Sequence, residues 1–127
     1  MHNLVIIGGS FSSLKLITLI KANKNKKLNI TLISNSGNFI FLPLIPNCVE
    51  KFINKRNINI TEIFSTIKTD LKKYSRSKDI KYLNKTVSSI EIDSKTIILE
   101  DQKEIKYDFL FLADGYSYSN NIPKKKY

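Results

Sequence analysis

The chain has 127 residues, a formal net charge of +10, and 42% apolar against 25% charged residues. That length supports one domain around one core, and that composition excludes a disordered chain. The longest apolar runs, 4–7 and 39–45, are too short to cross a bilayer, no secretory leader is legible, and a single cysteine excludes an internal disulfide or a CxxC pair. An intracellular protein is therefore expected, cytoplasmic or peripheral to an energy-transducing membrane. Of the 21 basic residues only Arg56 and Arg76 are Arg. Bidentate readers of phosphate and base are mostly Arg, so no specific nucleic-acid partner is expected. The scattered lysines read either as a general solvated surface or as an anion-binding face.

In chain order, residues 3–7 predict a first strand, because a continuous apolar run ending in Gly8-Gly9 fits a strand buried on both faces. Residues 12–22 predict a helix with a wide apolar face (Leu14, Leu16, Ile17, Leu19, Ile20), capped by Ser12 or Ser13. Residues 28–34 predict a second strand, which completes one βαβ unit of parallel strands. A turn over 35–38, with Gly37 at positive φ, leads to the apolar segment 39–46. Pro43 and Pro46 bar that segment from being a central strand. Helical spacing extends over 59–74, with Asn59 and Glu62 as a capping box. A third strand is expected at 80–83. Short β segments at 87–92, 96–99 and 105–106 read as an antiparallel meander. A second apolar run, 109–113, enters a turn at Asp114-Gly115, and 116–127 has no periodicity.

Most chemistry-bearing residues have ordinary readings. His2 stands at the terminus, Cys48 reads as packing, and Phe39 and Phe41 serve as core or as part of a cofactor wall. No HExxH, CxxC or GxxxxGK occurs. The glycine stretch is the exception. Strand, glycine turn and helix place backbone N–H groups where the pyrophosphate of a dinucleotide sits.

Three motifs then carry a resemblance. Residues 5–14, VIIGGSFSSL, resemble the first-strand motif VIIGGGFAGL of the FAD-dependent pyridine-nucleotide oxidoreductases. Residues 38–46, NFIFLPLIP, resemble their NYFxFTPLLP segment, and residues 107–115, YDFLFLADG, their YDxLxLATG strand and turn. The order matches the FAD-binding N-terminal part of that superfamily, nearest the type II NADH dehydrogenase and apoptosis-inducing-factor-like branch. The resemblance implies FAD at Gly8, Gly9, Ser10 and Phe11 (pyrophosphate), Ser34 (ribose), Pro43 (near the flavin), and Asp114 with Gly115 (last turn). It also implies an enzyme passing hydride from NAD(P)H through FAD to a quinone or similar acceptor. No catalytic acid or base is assigned.

The departures matter as much. Ser10 and Ser13 replace the second and third glycines of G-x-G-x-x-G. A Cβ at Ser10 crowds the ligand, and Ser13 is expected to push the helix outward. Ser34 replaces the acidic residue, and Asp114 replaces the threonine of ATG. FAD binding is therefore expected to be weakened or lost. The fold expected is α/β: a Rossmann-like parallel sheet with an inserted small antiparallel β-meander, a truncated FAD/NAD(P)-binding domain over 1–118 with a flexible basic tail at 119–127. NAD(P)H requires a second domain or a partner subunit, since no second strand–glycine–helix motif is present. The alternative is a non-catalytic, degenerate remnant that binds a nucleotide or a partner.

Overall fold

A computed structural model describes residues 1–24, 27–40, 46, 50, 53–54 and 67–114. In chain order its elements are β1 (His2–Ile7), α1 (Phe11–Ala22), β2 (Leu28–Ile33), β3 (Asn38–Ile40), β4 (Lys68–Asp70), α2 (Leu71–Ser77), β5 (Lys81–Leu83), β6 (Val87–Glu91), β7 (Thr96–Leu99), β8 (Glu104–Lys106) and β9 (Phe109–Leu112).

The centre is a four-stranded sheet in the order β5-β2-β1-β9. All its pairings are parallel: His2↔Leu28 through Ile7↔Ile33, Leu4↔Phe109 through Ile7↔Leu112, and Thr31↔Lys81 through Ile33↔Leu83. β1 is central, and its last four residues are buried on both faces. Its side chains alternate between two cores, as the two-residue period of a strand requires. Leu4 and Ile6 pack with Ile17 of α1, Leu32 and Leu71. Val5 and Ile7 pack on the opposite face with Ile33, Ile97 and Leu99. The antiparallel meander β6-β7-β8 therefore caps one face of the sheet and α1 with α2 the other. The entry to β9 is tied to β1: Asp108 N donates to Asn3 O at 2.9 Å, and Asn3 N donates to the Asp108 carboxylate at 2.7 Å.

The α/β class, the parallel sheet and the inserted meander agree with the sequence expectation. Three local expectations do not. Of the helix expected over 59–74, residues 59–66 lie outside the described residues; within 67–74 the helix begins at Leu71. Residues 68–70 pair instead as β4 against β3, Phe39↔Thr69, and Asp70 caps α2 by accepting from Lys73 N at 3.1 Å. Gly37 does not take a positive φ; among the described glycines only Gly8 does. The segment expected to be irregular from Phe39 starts as β3, which already opens at Asn38. The Asn59–Glu62 capping box, Phe41, Pro43, Cys48 and the turn at Gly115 lie outside the described residues.

Candidate functional site

The carboxyl ends of β1, β2 and β9 open into a cleft of ≈ 430 Å³. Strand order reverses here: β2 lies to one side of β1 and β9 to the other. This is where open α/β sheets hold ligands. Gly8 forms the floor. Its φ is +105°, which a side chain rarely adopts. A Cβ there would overlap the Ala113 carbonyl and stand 2.7 Å from Asp114 N. Two bonds hold this approach: Gly8 N to Ile33 O and Ala113 N to Ile7 O, both 2.8 Å. Gly9 needs no unusual φ; a Cβ there would meet the Leu71 side chain at 2.5 Å and Ser34 Oγ at 3.1 Å.

Ser10, rather than Ser12 or Ser13, caps α1. Its backbone is extended (φ −93°, ψ 172°), and its Oγ accepts from Ser13 N in a long bond of 3.5 Å. Ser13 stands where the motif has its third glycine, on the side of α1 that faces β1. It is fully buried, and its Oγ donates to the Gly8 carbonyl. The first turn of α1 carries no acidic residue, which suits an anion at the helix mouth. The Ser10 cap, however, engages one N–H that an anion would otherwise receive.

Beyond β2 the chain makes a tight hydroxyl turn. Ser34 is 7% exposed; its Oγ donates to Ser36 O and accepts from Ser36 N, each at 3.2 Å. Tyr82 Oη clamps the same carbonyl, donating to Ser36 O at 3.0 Å. Burial and, after it, the Asp70 carboxylate raise the Tyr82 phenol above its ordinary pKa of 10.0. Across from this turn the β5–β6 connection supplies Lys85 and Thr86 to the cleft wall. Lys85 Nζ lies 3.3 Å from the Asp101 carboxylate in an exposed pair. The Lys103 backbone N–H first, and Lys85 after it, hold Asp101 below the ordinary carboxylate range.

Of the residues named from sequence, Gly8, Gly9, Ser10, Ser34 and Asp114 line this one cleft, as does Phe39. Phe11 opens α1 with 56% exposure and is not part of the lining. Pro43 and Gly115 fall outside the described residues. Sequence reading missed Asn35, Ser36, Lys85 and Thr86. The signal that would have found the last two is the β2–β5 register, which sets the chain after Leu83 beside the chain after Ile33. Among the described residues no group of three or more His, Cys, Asp or Glu could hold a metal. The bare Gly8 floor and the acid-free mouth of α1 fit the diphosphate of an adenine dinucleotide. The exposed Asp114 carboxylate on the same rim opposes it electrostatically.

The family model described as pyridine nucleotide-disulphide oxidoreductase matches residues 2–126. The chain is similar to a sulfide-quinone reductase of Aquifex aeolicus (strain VF5), 27% identical over 113 residues, which is 89% of this chain and 24% of that protein. The X-ray structure of the sulfide:quinone oxidoreductase from the hyperthermophilic bacterium Aquifex aeolicus superposes with a TM-score of 0.75 at 26% identity, over 94% of this chain and 26% of that one. NDH2 from Plasmodium falciparum, solved in complex with NADH, superposes with a TM-score of 0.67 at 20% identity, over 94% and 23%; at that identity it speaks for the fold. The chain thus spans 24% to 26% of the length of the sulfide-quinone relatives it matches.

Proposed function

The chain belongs to the pyridine nucleotide-disulphide oxidoreductase family, and from that premise we propose that it forms the FAD-holding portion of a flavin-dependent NAD(P)H oxidoreductase of the NADH dehydrogenase kind. The observation that carries this reading is Gly8: a positive-φ glycine pressed against Ala113 and Asp114, at the mouth of a helix, inside the switch-point cleft. In this assignment Gly8, Gly9, Ser10 and the first turn of α1 from Phe11 hold the diphosphate. The Ser34–Ser36 turn faces the ribose. Pro43 stands near the flavin, and Asp114 and Gly115 form the last turn. Bound FAD would supply reversible hydride and electron transfer; the protein's part is to position it and to exclude water.

The NAD(P)H site is assigned to a further domain or a partner subunit, because Gly37 and Gly115, the other two of the four glycines, open no second motif. Among the described residues no helix is long and apolar enough to cross a membrane. Peripheral association with a membrane belongs to the same proposal. The likeness to sulfide-quinone reductase favours a second reading within the family, in which a quinone is the acceptor and sulfide the donor.

Flavin fluorescence quenching and calorimetry with the purified chain test the proposal. We expect weak FAD uptake that strengthens about threefold to tenfold in Asp114→Thr, where one negative charge beside the diphosphate is removed. If the chain, Asp114→Thr and Ser10→Gly all ignore FAD, the flavoprotein reading fails for this chain and the non-catalytic remnant replaces it.

A further inference from the structure

The β2 side of the cleft is electrostatically unlike the β9 side. In dinucleotide clefts of this topology an acidic residue after the second strand takes the ribose hydroxyls and repels any phosphate attached there; a neighbouring cation accepts one. Here the described lining after β2 and β5 is Ser34, Asn35, Ser36, Lys85 and Thr86, with hydroxyl, amide and ammonium groups and no carboxylate. The one lining carboxylate, Asp114, follows β9, which is two strands away from β2 and so about 10 Å distant. Ile33 pairs with Leu83, so Asn35 and Lys85 each stand two residues past the same rung of the sheet. Lys85 is the only cation among the described lining residues. Its present partner, Asp101, is exposed and outside the lining, so a doubly charged phosphate can compete for it.

We infer that this cleft accepts, and prefers, an adenine nucleotide carrying a phosphate monoester on its adenosine ribose, read by Lys85 beside the Ser34–Ser36 turn. The inference rests on the dinucleotide reading of the cleft and extends it from diphosphate to ribose. FAD remains a ligand; the phosphorylated nucleotides bind more tightly.

Calorimetry with the 127-residue chain compares adenosine 5′-monophosphate, adenosine 2′,5′-bisphosphate and adenosine 3′,5′-bisphosphate, with ADP-ribose as the control for the cleft itself. At least one bisphosphate should bind about tenfold more tightly than the monophosphate, the factor one charge-assisted contact supplies. Which one does so identifies the ribose position that is read. The preference should shrink on raising salt from 0.05 M to 0.5 M, disappear in Lys85→Gln and grow in Asp101→Asn. Lys85 and Asp101 are surface residues, and thermal melting curves matched to the unsubstituted chain serve to check that both variants fold. Equal binding of all three probes, with ADP-ribose still bound, overturns the inference and leaves the dinucleotide reading standing. A preference that survives Lys85→Gln overturns the assignment to Lys85. If no probe binds, ADP-ribose included, the dinucleotide reading falls and the inference with it.

Discussion

Gly8 meets two separate demands, a φ of +105° and the backbone of Ala113 and Asp114 lying where a Cβ would be. Neither demand can relax without parting β1 from β9, so Gly8→Ala should destabilise the fold by roughly 3 kcal/mol or more. Urea unfolding followed by circular dichroism measures it. Gly9, by contrast, has no positive φ, and a Cβ there meets side-chain atoms of Leu71 and Ser34 rather than backbone, so it should tolerate alanine better. Tyr82 gives a prediction of another kind. Its phenol is raised above 10.0 by burial and by Asp70, so its protonated form is favoured by folding. The resulting stability is fully present below pH 10 and is lost as pH rises through the folded value. In tyrosinate absorbance, Tyr82→Phe should remove a component that titrates above pH 10.

At the scale of elements, α2 depends on its cap. It is a seven-residue helix, too short to persist by propensity alone, and Asp70 satisfies its first turn through Lys73 N. Asp70→Ala should cost about 1 kcal/mol in the same unfolding measurement. This cap also explains where sequence reading failed. Ile67, Leu71 and Tyr74 do fall at helical spacing, but Thr69 pairs with Phe39 and draws 68–70 into a two-stranded ribbon. Three-residue strands with polar members leave no periodic trace, so only tertiary pairing reveals them. The central strands were legible because β1 and β9 carry continuous apolar runs and β2 ends in Leu32-Ile33 before a turn, and the meander because short β-prone segments lie between polar loops. Within the site, Gly8 announced itself by its place after β1. Lys85 and Thr86 did not, because their relevance arises from a strand neighbour about 50 residues away in sequence.

Among the described residues the central four-stranded sheet carries a core on each face, and the two cores share β1. The meander is thereby bound into the same unit as the βαβ half, since Ile97 and Leu99 pack on Val5, Ile7 and Ile33. Ile97 is fully buried, and Ile97→Ala should cost about 2–5 kcal/mol. The loss should shift the entire unfolding curve, with far-ultraviolet circular dichroism and tyrosine fluorescence moving together. If the meander signal melts first while the parallel sheet keeps its midpoint, the two cores are energetically separate.

The hydroxyls around Gly8 set a direction for change. Ser13 Oγ reaches the Gly8 carbonyl, and the Ser10 and Ser13 oxygens stand 3.4 Å apart, so the two substitutions are not independent events. Ser10→Gly alone should cost only a few tenths of a kcal/mol, glycine being a fair N-cap, while releasing an N–H towards the diphosphate. Ser13→Gly alone should cost about 2 kcal/mol, from a lost hydrogen bond and a glycine inside a helix. A double-mutant cycle read by thermal melting should show coupling of about 0.5 kcal/mol or more. Such epistasis makes the sequence history of this loop asymmetric: the step at position 10 is open at little cost, whereas the step at position 13 leads downhill in stability and stalls there unless another substitution has prepared the helix first.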